Sequence, residues 1–249
     1  MTAGSLVIYL CAPEYRERAE RLSQRLGAPL VSAPPDPETL TLRFDADGVS
    51  LCCGKLSVRG DLTRMIPRLR PANLRGELLV RAASVKNADR PLTAVDATAG
   101  LGEDSLLLAA SGFAVTLCER DPVIAALLSD SVERAREIPD LRGAASRMTV
   151  VECDGAEYMR GLGNAPDVVF LDPMFPERTK SGLIKKKLRL IQRLESPCED
   201  ESGLFEAAKS AGPRKIVIKR PLKGPYLAGV KPSHSLFGKA IRYDCVVLR

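Results

Sequence analysis

Two short stretches concentrate the residue types that do chemistry. Residues 92–104 read Leu-Thr-Ala-Val-Asp-Ala-Thr-Ala-Gly-Leu-Gly-Glu-Asp, and residues 167–176 read Asp-Val-Val-Phe-Leu-Asp-Pro-Met-Phe-Pro. Each is an apolar run of strand type that meets an acid and passes into a turn. In an open α/β sheet, ligands bind beyond the carboxyl ends of the strands. Both turns are therefore expected to face one crevice.

In the first turn, Gly100 and Gly102 let the backbone approach a ligand where side chains would clash. A dinucleotide fingerprint would place a third glycine at position 105, where this chain has Ser105. Glu103 and Asp104 add negative charge at the start of the following helix, which a diphosphate would oppose. A cationic nucleoside suits the turn better, and S-adenosylmethionine, with its sulfonium, is of that kind. Glu119 lies about twenty residues beyond the glycines, where an acid can accept both ribose hydroxyls. Asp154-Gly155 follows a third strand-like run and could hold an adenine edge. Asp96, at the end of the strand feeding the glycine turn, is counted with these cofactor contacts.

In the second turn, Pro173 removes a backbone donor and stiffens the chain. The Asp172 carboxylate and the Pro173 carbonyl are acceptors, and an exocyclic amine offers two N–H donors. Gripping both hydrogens would orient the nitrogen and draw its lone pair out of conjugation. Phe175 offers a flat face on which a base can stack. Seven basic residues and no acid follow: Arg178, Lys180, Lys185, Lys186, Lys187, Arg189 and Arg193. A single-sign cluster beside the substrate turn fits phosphate contacts, and Lys219-Arg220-Pro221 extends the same expectation.

The elements that must position these turns are legible as periodicity. From residue 92 onward, strand-like and helix-like segments alternate. Strands are expected at 92–96, 114–119, 148–153, 167–171 and 215–219, with a last one at 240–248, which could pair in a hairpin. Helices are expected at 103–111, 122–136, 156–161, 183–194 and 204–210. Such alternation argues for an α/β, doubly wound, mostly parallel sheet covered on both faces. Residues 1–60 read as a small α+β unit: a strand at 6–10, a helix at 14–26, a hairpin around Asp45-Ala46-Asp47-Gly48 and a further short strand at 55–59. Residues 61–91, rich in Arg and Pro, read as a linker with a helix over 73–85 capped near Asn73. This stretch is expected to pack across the crevice mouth. Residues 92–249 form the main domain.

Composition narrows the class further. No apolar run approaches the roughly 20 residues that span a bilayer, and the first residues lack a basic leader, so no membrane partner and a cytoplasmic location are expected. The seven cysteines show no C-x-x-C pair and there is one histidine, His234, read as lying in a polar loop. Buried reduced thiols and no metal centre are expected. A net charge of +6 favours an anionic partner such as nucleic acid.

Taken together, Asp96-Ala97-Thr98-Ala99-Gly100-Leu101-Gly102, Glu119-Arg120, Leu171-Asp172-Pro173-Met174-Phe175-Pro176, Lys180-Ser181, Lys185-Lys186 and Val217-Ile218-Lys219-Arg220-Pro221 resemble the RsmJ family. The resemblance covers about residues 74–249, and the first sixty residues match poorly. It implies a seven-stranded, Rossmann-like methyltransferase sheet with an added N-terminal unit. It implies S-adenosylmethionine as cofactor, with contacts at Glu103, Asp104, Glu119, Arg120, Asp154, Gly155 and Asp172. It also implies methyl transfer to N2 of a guanine in small-subunit (16S) ribosomal RNA, with ribosomal RNA or the small subunit as partner. Asp172, Pro173 and Phe175 are the expected catalytic residues. The amine-gripping turn leaves adenine N6 open as acceptor. A non-catalytic RNA-binding protein and a nicotinamide oxidoreductase are the readings from other classes.

Overall fold

The computed structural model describes residues 6–86, 90–173, 190 and 200–248. The expected helix over 183–194, apart from Leu190, lies outside the described residues, as do Met174, Phe175, Pro176 and the basic residues from Arg178 to Arg193.

The larger sheet has seven strands in the order β11-β12-β10-β9-β6-β7-β8. Its parallel part is β6 (Thr93–Asp96), β7 (Ala114–Glu119), β8 (Met148–Glu152), β9 (Val168–Leu171) and β10 (Lys215–Pro221). β12 (Ile241–Val247) pairs antiparallel with β10, and β11 (His234–Phe237) pairs antiparallel with β12. His234 therefore begins a strand instead of lying in a loop. Because β6 neighbours both β7 and β9, the strand order reverses there, and the open end of that pair is where a doubly wound sheet binds ligands.

Burial alternates along the strands as a two-sided sheet demands. Ala94 faces a layer built by α4 (Leu78–Ala83), α5 (Glu103–Ala110) and α7 (Pro139–Ala145), with Leu79, Leu106 and Leu141 in one core. Val95 faces the opposite layer with Met159 of α8 (Gly155–Arg160) and Phe205 of α9 (Glu201–Ser210). All four residues of β9 are buried, as expected of a central parallel strand covered on both faces.

A second sheet of five strands has the order β2-β1-β3-β4-β5. It comprises β1 (Val7–Leu10), β2 (Leu30–Val31), β3 (Thr41–Asp45), β4 (Gly48–Cys53) and β5 (Leu56–Val58). α1 (Arg16–Leu26) covers it and ends at Gly27, whose φ of +60° suits a residue without a side chain. This sheet packs on α6 (Pro122–Glu137): Val123, Ile124 and Leu127 share a core with Ile8, Phe44 and Leu51, while Leu128 and Val132 of the same helix turn toward the large sheet. Leu190 is buried in the same core.

The segment expected as one helix over 73–85 is broken. α2 (Ile66–Leu69), α3 (Pro71–Leu74) and α4 are separate, and Arg75, Gly76 and Glu77 interrupt the last two. Asn73 caps no helix; its Nδ2 donates to the Pro67 carbonyl at 2.8 Å. α7 restarts at Pro139 after Ile138 takes an extended backbone, a turn that periodicity alone does not mark. No described helix is long and apolar enough to cross a membrane.

Candidate active site

The glycine turn begins where β6 stops. Asp96 is buried, accepting from Ser105 Oγ at 2.5 Å and from the Thr98 N–H at 3.1 Å. Burial pushes its carboxyl up to about 7, against the pull of those two donors. Ser105, where a dinucleotide site would want glycine, is thus the hydroxyl that braces this acid. Asp96 sits behind the turn and shapes it, and the expected cofactor contact at this residue is closed off by burial. Gly100 and Gly102 both take positive φ, +53° and +80°. A side chain on Gly102 would press Leu128 at 2.7 Å, whereas nothing lies within 4 Å of one on Gly100. Gly100 therefore borders open space, as a cradle for a ligand requires.

The next two strand ends bring further acids to the same rim. Glu119 is buried, and its two oxygens accept from the Gly100 N–H at 3.0 Å and the Asp121 N–H at 2.9 Å. Burial raises its carboxyl, partly offset by those two donors. Each oxygen retains a lone pair for a hydroxyl. Asp154 caps α8 through Oδ1 alone, at 2.8 and 3.0 Å from the N–H groups of Ala156 and Glu157. Beside it, a side chain on Gly155 would come within 2.2 Å of the Ala97 carbonyl oxygen. The glycine there is a packing requirement between two turns. Glu103 and Arg120 are exposed.

The acid turn meets the glycine turn directly. The Asp172 N–H donates to Thr98 Oγ1 at 2.7 Å, and the Ala97 N–H donates to the Phe170 carbonyl at 3.1 Å. The Asp172 side chain stays 36 % exposed, so it is open to the crevice, and Pro173 behind it is buried. Lys219, from β10, reaches across: its Nζ lies 2.8 Å from Asp172 Oδ2 and 2.6 Å from Asp104 Oδ2. Burial raises the Asp172 carboxyl, while the Lys219 ammonium draws it back down. Lys219 itself is held protonated by the two carboxylates despite its burial.

This corrects one expectation. Lys219 and Arg220 are not phosphate contacts. Lys219 is committed to two acids, and Arg220 is buried, donating to the Pro225 carbonyl at 2.9 Å and to Glu201 at 3.1 Å. Sequence reasoning also missed Thr98, Ser105 and Tyr243. The two hydroxyls sit inside or next to the glycine run and could have been found as donors or acceptors within a turn. Tyr243 gives no local signal; it enters only because β12 pairs with β10, opposite Lys219. Next to it, a cavity of about 540 Å³ is bounded by Arg68, Asn73 and Glu77 on one side and Ile241 and Tyr243 on the other. Glu77 and Arg68 form a two-bond pair, each contact 2.7 Å. Residues of the 61–91 stretch thus wall a space beside Tyr243.

Asp104, Glu119, Asp154 and Asp172 gather at these strand ends, and Lys219 is the cation bonded to two of them. This donor set fits a ligand with a positive centre and hydroxyl groups, and it opposes a diphosphate. Among the described residues, no group of three or more His, Cys, Asp or Glu is arranged to hold a metal ion.

Comparison with known proteins agrees. The profile of the SAM-dependent methyltransferase family matches residues 42–248. The chain is 40% identical to the ribosomal RNA small subunit methyltransferase J of Thioalkalivibrio sulfidiphilus, covering 99% of both proteins. The chain belongs to the ribosomal RNA small subunit methyltransferase J family. Its cofactor is S-adenosylmethionine, and it is a methyltransferase. A family member from Pseudomonas aeruginosa is 42% identical, covering 92% of this chain and 89% of that one. The crystal structure of a SAM-dependent methyltransferase from Neisseria gonorrhoeae superposes with a TM-score of 0.75 at 32% identity, covering 97% and 96% of the two chains. The likeness to the family therefore extends into the N-terminal sixty residues, which local motifs alone did not show.

Proposed function

We propose that this protein methylates the exocyclic N2 of a guanine in small-subunit ribosomal RNA, working in the cytoplasm where subunits mature. The observation that carries the reading is the hydrogen bond from the Asp172 N–H to Thr98 Oγ1, which sets the acceptor-gripping turn against the glycine turn at the strand-order reversal. The names of the relatives supply the RNA.

When bound, S-adenosylmethionine supplies an electrophilic methyl group. Gly100 leaves room for it while Gly102 closes the turn against Leu128, Glu119 offers acceptors to ribose hydroxyls, and Asp154 offers Oδ2 to an adenine edge. Glu103, Asp104 and Arg120 flank it from the α5 and β7 ends. On the substrate side, the Asp172 carboxylate and the Pro173 carbonyl each accept one amine hydrogen, and Phe175 stacks on the base. An arylamine nitrogen is a weak nucleophile, so the gain comes chiefly from alignment; holding reacting atoms at about 3–3.5 Å supplies several kcal/mol. As the nitrogen gains the methyl, it gives up one proton, which Asp172 takes. A paired guanine cannot enter such a crevice, so the target is unpaired or flipped out.

Labelled methyl transfer to naked RNA, small subunits and whole ribosomes, followed by mass spectrometry of the nucleosides, tests the reading. N2-methylguanosine in small-subunit RNA is the expected product. N6-methyladenosine instead, or no product from any of the three, would overturn it.

A further inference from the structure

We propose that Lys219 is a positioning residue for methyl transfer: its ammonium clamps Asp172 by Oδ2 and leaves Oδ1 set toward the acceptor amine. The inference rests on the reading of Asp172 as the amine's acceptor. The turn that carries Asp172 is fixed at its backbone by Thr98, but a backbone anchor does not fix a carboxylate, whose two side-chain torsions stay free. Lys219 supplies the second point. It leaves β10 one residue beyond Ile218, the partner of Leu171 in the parallel ladder, and so stands beside the start of the acid turn. On its other side its backbone pairs with that of Tyr243, which is buried.

The second contact, to Asp104 in the first turn of α5, makes the clamp directional. An ammonium has three hydrogens; two are committed to carboxylates that come from different elements, so the Nζ position is set by both. Asp104 and Asp172 repel each other, and the cation between them lets both point into the same space. A lysine there for stability alone would tie α5 to β10, and its loss would cost folded protein without slowing methyl transfer per folded site.

The test compares Lys219→Met, Lys219→Arg and Asp172→Asn in single-turnover methyl transfer on small-subunit RNA. Active sites are counted by cofactor titration, so that unfolded protein does not enter the rates. Lys219→Met is expected to lower the rate about 100-fold, the size of loss that a misplacement of about 1 Å causes, with KM for RNA nearly unchanged. The acidic limb of its pH–rate profile is expected to move to higher pH, because the cation that favours ionised Asp172 is gone. Lys219→Arg keeps the charge and is expected to restore most of the rate and the position of the limb. An unmoved limb in Lys219→Met, or an arginine variant as slow as the methionine one, would overturn the inference while the Asp172 reading stands. Near-normal turnover in Asp172→Asn would overturn both.

Discussion

Among single residues, Asp96 and Asp172 show how burial and partners divide two acids of one site into different roles. Asp172 faces the crevice beside a cation and is suited to act ionised. Asp96 is sealed, has only hydroxyl and backbone donors, and is pushed up to about 7 from an ordinary 3.8. A carboxyl raised in the folded state contributes its full stability below its unfolded value. That contribution falls as pH rises from about 3.8 to about 7, on the order of 1.4 kcal/mol per pH unit, and stays lost above. Asp96→Asn imitates the neutral acid. Melting curves between pH 5 and pH 8 should therefore show the wild type losing stability relative to Asp96→Asn as pH rises; parallel curves would contradict the assignment of Asp96 as a neutral brace. The acidic identity of these positions was legible in the sequence. Their division of labour was not, because it depends on Ser105, Thr98 and Lys219, which come from a helix turn, a loop and a distant strand.

At the scale of elements, the site is a stack of strand ends, and close packing between the turns matters as much as what faces the ligand. Gly155 was read as part of an adenine contact on the strength of Asp154 before it. In the fold it is where α8 starts against the Ala97 carbonyl, too close for any side chain. Gly155→Ala should force the two turns apart, lowering stability by about 1–3 kcal/mol and weakening cofactor binding more than the same substitution at Gly143, which has open space around it. Thermal melting with and without S-adenosylmethionine checks both effects. Strand alternation marked every parallel strand of the large sheet, because apolar runs bounded by turn residues repeat at regular spacing. It failed in the 61–91 stretch and at α7, where proline and glycine cut short helices whose ends depend on tertiary contacts.

For the whole molecule, the decisive feature is a negative crevice inside a protein of net charge +6. The acids that welcome a cationic cofactor would repel an RNA backbone, so the basic residues must lie around the crevice and not in it. Lys219 and Arg220 fall inside the fold and are removed from that account. The run from Arg178 to Arg193 remains its main sequence source. Neutralising Lys185, Lys186 and Lys187 together should lower the slope of log affinity against log salt by about 2, at about 0.7 for each contact to single-stranded RNA, with cofactor affinity unchanged; an unaltered slope would place the RNA elsewhere. The five-stranded sheet packed on α6 is a further surface the substrate could meet, and its topology was legible only in part: the hairpin was marked by Asp45-Ala46-Asp47-Gly48, whereas the parallel pairing of β1 with β2 and β3 has no local signature.

In the mechanism proposed, Asp172 receives and orients the acceptor amine. Asp172→Asn keeps the size of the side chain and removes the charge. Isothermal titration with S-adenosylmethionine and single-turnover methylation of small-subunit RNA, run on the same preparation, measure the two halves of the claim. The expected result is cofactor affinity within about threefold of wild type and a methylation rate lower by about 10²–10⁴. Methylation at close to the wild-type rate, with the cofactor bound normally, would contradict it.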